Sequence, residues 1–276
     1  MVSLDYLVQF VREDAPFGDA TSDAVIFDVS CHAIIRAEQA GIIAGIEEAA
    51  MLFSHFGVQV KLHVTDGDRV KPGDTLLSLS GEAKKILLVE RTALNIIGRM
   101  SGIATQTKKM VDIVNAVDTR CRVAGTRKTS PGFRALDKKA IILGGGDPHR
   151  YSLSDGILIK DNHLALVSLP EAIRSARKTT AYKKVEVEVE TVTDALAAAK
   201  AGADIIMLDN MSTEQIQKTI TALKHEGLRD KVEIELSGGI DEETIKRYAA
   251  LGADVISLGA LTHSVRNFSV NLAINP

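Results

Sequence analysis

The sequence predicts an α/β protein whose C-terminal half is a parallel barrel, on three observations. From Arg120 onward, short apolar runs alternate with amphipathic helical segments: CRVAG, GILIK, KVEVEVE, ADIIMLD, KVEIELSG and ADVISLG. Unbroken apolar strands joined through helices imply a parallel sheet buried on both faces. Six or seven such units point to closure into a barrel rather than an open sheet. A-G-A-D at Ala201–Asp204 and L-G-A-D at Leu251–Asp254 each end a helix and begin a strand, as a recurring βα unit would.

The earlier residues follow a different plan. Leu4, Leu7, Val8, Phe10 and Val11 recur at helical spacing over 3–13, with Ser3 as N-cap. The acidic, turn-rich EDAPFGDATSDAV follows, with Asp14 and Asp19 as candidate caps. Cys31–Ile46 is strand-like with glycines at its turns, and a helix is expected over about Ile46–Phe56. VKLHVTDGDRVKPGDTLLSLSGE then reads as two strands flanking a turn set by Gly and Pro. That turn resembles those of biotinyl and lipoyl modules, but no lysine occupies a Met-Lys-Met-like tip, so a swinging-arm carrier is not indicated. Residues 83–116 are helical, with Ile86, Val89, Ala93, Ile96 and Ile97 on the apolar face. Gly98 and Ser101-Gly102 are expected to break this region into two helices. Later helices are expected at 168–180, 192–201, 212–226 and 241–251, several opening on Ser, Thr or Asp.

Composition narrows the function classes. With 276 residues, 45% apolar and 25% charged, the chain can bury the core of one large α/β domain, or of a barrel plus a smaller domain. It has no Trp and only 4% aromatic residues, which argues against a stacking platform for single-stranded nucleic acid. Its net charge of -3 lacks the footprint of a duplex binder. Cys31 and Cys121 stand far apart with no metal-ligand spacing, and read as reduced thiols. No signal-like start and no membrane-length apolar run are present, so a cytoplasmic protein is expected.

Against this mildly acidic background, the stretch from Gly125 to His163 is locally basic, with Arg127, Lys128, Arg134, Lys138, Lys139, His149, Arg150 and Lys160. Thr126-Arg127-Lys128 and Lys160 directly follow apolar strands, where α/β proteins place their chemistry. Converging cations repel one another unless an anion lies among them, so a pocket for a polyanionic small molecule is expected. The remaining strand tips are Glu188/Glu190, Asp209, Ser237-Gly238-Gly239 and Gly259. Arg127 and Arg150 can hold carboxylates or phosphates bidentately, and the lysines act as point charges. The acids would sit awkwardly beside phosphates unless Mg²⁺ bridged them. The glycine tips can offer backbone N–H groups to a phosphate. Each feature alone has an ordinary structural use, such as a barrel salt bridge or a turn. All on one rim, with this mixture of signs, they point to function.

The chain resembles the quinolinate phosphoribosyltransferase family of NAD biosynthesis. The resemblance runs through EDAPFGDAT (13–21), ERTALNIIGRMSGIAT (90–105), GTRKTSPGFR (125–134), GGGDPHR (144–150), LIKDNH (158–163), VEVE (187–190), MLDN (207–210), LSGGI (236–240) and GALTHS (259–264). It implies an N-terminal α/β sandwich over 1–116 and an open, irregular parallel α/β barrel of the type II phosphoribosyltransferase kind over 117–265. Residues 266–276 would return to the first domain. It also implies a homodimer, or dimers assembled into a hexamer, in which Arg91 enters the neighbouring site. Arg91, Arg127, His149, Arg150 and Lys160 would surround the two carboxylates of quinolinate, near Thr126. Lys128 and Lys160 would face the pyrophosphate of phosphoribosyl pyrophosphate. Glu188 and Asp209 would hold Mg²⁺ and the ribose hydroxyls, with Glu190 behind them. Ser237, Gly238, Gly239 and Gly259 would take the 5′-phosphate, with His263 nearby. Lys128, Lys160, Glu188 and Asp209 would be the catalytic set. Neither nucleic acid nor membrane is an expected partner. The rival readings are a paralogue using nicotinate or linked to molybdenum transport, a sugar-phosphate lyase or isomerase barrel, and a non-catalytic anion binder. The intact Lys160-Asp161-Asn162-His163 favours quinolinate over the molybdenum-linked branch.

Overall fold

The computed structural model describes residues 2–275. In chain order its strands are β1 (Ser30–Ala37), β2 (Gly41–Ile42), β3 (Gln59–Leu62), β4 (Arg69–Val70), β5 (Thr75–Glu82), β6 (Arg122–Ala124), β7 (Ile157–Ile159), β8 (Val185–Val189), β9 (Ile205–Asp209), β10 (Glu233–Ser237), β11 (Val255–Ser257) and β12 (Val270–Asn275). The chain divides into two compact units that interleave along the sequence. The first comprises 1–108, 129–145 and 261–276, and the second 109–128 and 146–260. The resemblance implies domains over 1–116 and 117–265, with 266–276 returning to the first.

In the first unit, β12-β1-β5-β3 form an antiparallel sheet, and β2 pairs with β4. Burial alternates along β1, turning Cys31, Ala33, Ile35 and Ala37 inward toward a core that includes Leu52, Phe53, Leu77 and Ile86. Burying each large apolar side chain contributes about 2 kcal/mol. Ser3 caps the helix Leu4–Asp14 by accepting from the Tyr6 amide. Asp19 caps Ala20–Val25 through the Thr21 and Ser22 amides, whereas Asp14 lies inside the last turn of the first helix and caps nothing.

The helix Ala83–Asn115 is continuous, where two helices were expected. Gly98 and Gly102 do not break it, because they are used for close approach. A Cβ on Gly98 would lie 3.0 Å from the Phe268 carbonyl oxygen, and one on Gly102 would overlap the Arg266 carbonyl. The intrinsic helix cost of glycine, about 1 kcal/mol, is offset by the backbone that packs there. The helix Arg134–Leu143 belongs to this unit because Leu136, Ala140 and Ile141 enter its core. Within the same unit, Arg99 grips the fully buried Asp137 through two bonds of 2.8 and 2.9 Å and donates to the Thr262 carbonyl at 3.0 Å.

The second unit holds one parallel sheet in the order β6-β11-β10-β9-β8-β7. Six strands are present among the described residues, and the end strands β6 and β7 do not pair, so the barrel stays open. The free edge of β6 meets Asp147 instead: Asp147 N donates to the Val123 carbonyl at 2.8 Å and Gly125 N to the Asp147 carbonyl at 2.9 Å. The connecting helices run Leu169–Thr179, Val192–Ala201, Thr213–His225 and Ile245–Ala249. The last is shorter than expected, because Asp241 and Thr244 close a turn before it. Thr191 caps one helix, and Ser212 with Gln215 forms a capping box on the next.

Strand register fixes what the barrel presents. Ser237 pairs with Asp209, while Glu235 and Glu188 both pair with Met207. Glu186 and Glu188 lie on one face of β8, two residues apart. No helix among the described residues is long and apolar enough to cross a membrane. Both cysteines are buried free thiols, and burial pushes Cys121 up to about 12.

Candidate active site

The parallel order brings the C-terminal strand ends of the second unit to one rim, and the charged tips meet there. Lys160, just past β7, places its Nζ 2.6 Å from Glu188 of β8. Asp209 ends β9 half-buried. Its carboxyl is raised by burial and then by Glu188, while Lys160 and Lys128 pull it down. These four side chains therefore share one field. Glu190 is exposed past the end of β8 and adds to the negative charge felt by Asp209. Lys128 is exposed, its amide bonded to Thr126 Oγ1 at 3.1 Å. Cations and acids thus interleave on this rim.

Beside Asp209, Asn210 has φ +52°, an uncommon conformation for a residue with a side chain. Its amide donates to Asp209 Oδ2 at 2.7 Å, and its backbone N–H to the Ser237 carbonyl at 3.0 Å. Gly238 (φ +94°) has to be glycine there, since a Cβ would lie 2.7 Å from Asn210 N. Gly239 (φ +61°) would meet nothing within 4 Å, so the backbone at this turn is open to approach. Gly259 follows β11, immediately before the helix Ala260–His263.

A second group lies deeper on the barrel face. Arg127 Nε is buried with no hydrogen-bond acceptor among the described residues. The Arg150 guanidinium is destabilised by burial and then by Arg127 beside it, and supported by Glu186 and Glu235. His149 has the other positive φ of a non-glycine residue among the described residues, +57°, and its amide donates to Asp147 Oδ1 at 2.7 Å. Its Nε2 stands 3.3 Å from Glu235 and 3.9 Å from Glu186. Within the chain, β8 and β10 turn Glu186 and Glu235 inward against the His149 ring. Glu235 was not singled out from the sequence. The alternating Glu in VEVEVE and VEIEL, set in otherwise apolar strands, was the available signal.

Burial, then Glu235, pushes the Glu186 carboxyl up to about 7. Ionising it costs more in the folded chain than in the unfolded one, where it titrates near 4.5. Stability is therefore expected to fall as pH rises from about 4.5 through about 7 and then level off, by at most about 3 kcal/mol. Melting curves between pH 5 and 8 check this, and Glu186→Gln should flatten the slope.

Two predicted residues lie in the first unit. Arg91 is exposed on the long helix, and His263 Nδ1 is 2.7 Å from Ser264 Oγ. A third acidic group, Glu47, Glu48 and Asp66, also in that unit, meets the Lys139 ammonium at 2.7, 2.8 and 2.7 Å. It reads as a structural ion cluster that pushes the lysine up.

A parallel α/β barrel carrying lysines, paired acids and an open glycine turn on its rim, with adjacent arginines deeper on the same face, defines an enzyme class that handles polyanionic small molecules. The family models resolve which one. The quinolinate phosphoribosyl transferase N-terminal domain matches residues 19–101, and the C-terminal domain of the same family matches 103–273. The chain belongs to the quinolinate phosphoribosyltransferase family. It is 43% identical to a probable nicotinate-nucleotide pyrophosphorylase [carboxylating] of Methanothermobacter thermautotrophicus, over 98% of each chain. Among solved structures it is similar to NadC from Streptococcus pyogenes, at 39% identity and TM-score 0.89, covering 99% of this chain and 96% of that one. The nicotinate-nucleotide pyrophosphorylase of Francisella tularensis matches at 34% identity and TM-score 0.91, covering 100% and 98%.

Proposed function

We propose that the chain transfers the phosphoribosyl group of phosphoribosyl pyrophosphate to quinolinate with loss of CO2, giving nicotinate mononucleotide and pyrophosphate for NAD biosynthesis. Family membership and the carboxylating relatives support the reaction. The observation that carries it to this site is the pair Arg127 and Arg150, adjacent and partly buried, within the same unit as Lys160, Glu188 and Asp209. Two neighbouring guanidiniums offer more positive charge than a monocarboxylate balances, which favours a dicarboxylate.

Arg127, Arg150 and His149 hold the pyridine acid, with Thr126 beside them. Lys128 and Lys160 take the charge of the departing pyrophosphate. Glu188 and Asp209 face the ribose, where positive charge develops as the anomeric bond to pyrophosphate breaks and the pyridine nitrogen bonds to that carbon. The 2-carboxylate then leaves as CO2, its bonding electrons passing to the ring carbon beside the quaternary nitrogen, which takes up a proton. Ser237, Gly238, Gly239 and Gly259 receive the 5′-phosphate on backbone N–H groups. No protein nucleophile is needed.

Glu188 and Asp209 fit a divalent ion: burial and then the Glu188 charge raise the Asp209 carboxyl, and a cation between them would relieve that repulsion. Mg²⁺ bound there would neutralise pyrophosphate oxygens. Arg91 completes the acid pocket of a partner subunit in a homodimer.

A product assay with quinolinate and phosphoribosyl pyrophosphate tests this. Pyrophosphate and CO2 should form in equal amounts, with little turnover of nicotinate. Equal turnover of nicotinate and quinolinate would favour the sister activity, and binding without pyrophosphate release a non-catalytic anion binder.

A further inference from the structure

We infer that Glu235 is a positioning residue that holds the His149 ring as an imidazolium, making His149 a third cation toward the second carboxylate of the acid substrate. The inference rests on the proposed reaction and deepens it.

The geometry singles out Glu235. Its carboxylate is the nearer acid to His149 Nε2, at 3.3 against 3.9 Å, and the residue is 2% exposed. Burial of that carboxylate weakens the screening of the contact. The ring is delivered by a backbone that resists rearrangement. His149 sits at φ +57°, its amide tied to Asp147, whose own backbone is bonded along β6. A conformation of that kind persists where surrounding bonds over-determine it.

The remaining charges decide the sign. His149, Glu186 and Glu235 line a cavity of about 230 Å³ with Arg150. The outer part of that cavity holds Arg122, Lys184, Glu233 and Asp147. Arg122 pairs with Glu233 at 3.2 Å and approaches Asp147 at 3.8 Å, while Lys184 meets Glu233 at 2.6 Å. Two cations and two anions there largely cancel at the ring. Arg150, with Arg127 beside it, opposes an imidazolium, whereas Glu235 favours it and lies in contact range.

Neutral imidazole offers one donor and one acceptor, and the acceptor repels a carboxylate. An imidazolium donates from both nitrogens, so it can face Glu235 and remain attractive to an anion. Without the Glu235 charge, the ring keeps only the more distant Glu186 at 3.9 Å, so the imidazolium is held less strongly and gives up its proton at lower pH.

The test measures KM for quinolinate and for phosphoribosyl pyrophosphate at pH 6 and pH 8. The proteins are the wild type, Glu235→Gln, His149→Gln and the double variant. Glu235→Gln should raise KM for quinolinate about tenfold at pH 8 and largely recover at pH 6, with KM for the pyrophosphate substrate unchanged. His149→Gln should be impaired at both pH values, and adding Glu235→Gln to it should change nothing further. Equal impairment of Glu235→Gln at both pH values, or additive effects in the double variant, would overturn the inference. If Glu235→Gln does not fold, His149→Lys supplies the comparison. A fixed cation should bind quinolinate better than His149→Gln at pH 8, and equal losses would count against a charge role. The same three groups lie close enough together to ligate a metal ion. Loss of quinolinate binding by the wild type in a chelator, measured without the second substrate, would replace the imidazolium with a metal. A wild type that turns over no quinolinate sinks the proposed function; a competent wild type with an unaffected Glu235→Gln sinks only this inference.

Discussion

Lys160→Ala is expected to lower kcat/KM by about 10³-fold, the scale seen when one preorganised charge is removed from a developing anion. Lys160 touches Glu188 at 2.6 Å and lowers the Asp209 carboxyl. On the proposed reaction, its loss removes a cation from the leaving group and leaves two acids facing each other. The side chain is 44% exposed, so its ion pair adds little to folding and the melting temperature should move by no more than about 2 °C. Steady-state kinetics beside a melting curve check both parts. A loss of activity matched by a loss of folding would make Lys160 a structural residue.

The second large effect is a rescue. Arg91→Ala and Lys128→Ala should each be nearly inactive alone. Arg91 is exposed on a helix of the first unit, whereas Lys128 belongs to the rim of the second. In a dimer that lends Arg91 across the interface, a mixed pair has one site carrying both lesions and one carrying neither. Random re-pairing makes half the dimers mixed, so about a quarter of wild-type activity should return. Activity that stays at background after subunit exchange, verified by mass, would mean the site is not shared.

Much of the second unit was legible because its strands are buried on both faces. Runs such as ADIIMLD and ADVISLG then lack polar alternation and stand out between capped helices. The rim was legible for a related reason: Lys160, Glu188 and Asp209 interrupt or end apolar strands, where a charge has no packing use. What escaped the sequence depends on partners far away in the chain. Gly98 and Gly102 look like helix breakers until residues 266–268 are laid against them. The apolar face of Arg134–Leu143 carries no label for the core it will join. Glu235 reads equally well as an outward strand residue until the register pairs it with Met207. Arg91 drew its role from the family resemblance alone, since an arginine on a helix is ordinarily a solvated group.

The pairing of β1 with β12 has a consequence for how the molecule is made. The first strand of the sheet waits for the last before its open edge is satisfied, and every strand of the parallel sheet is synthesised in between. Such distant closure is slow, and an unpaired edge is a surface for wrong partners in the meantime. The nascent chain therefore emerges from the ribosome with its first sheet unfinished, and cutting it between the sheets would yield a fragment lacking the strand that seals β1.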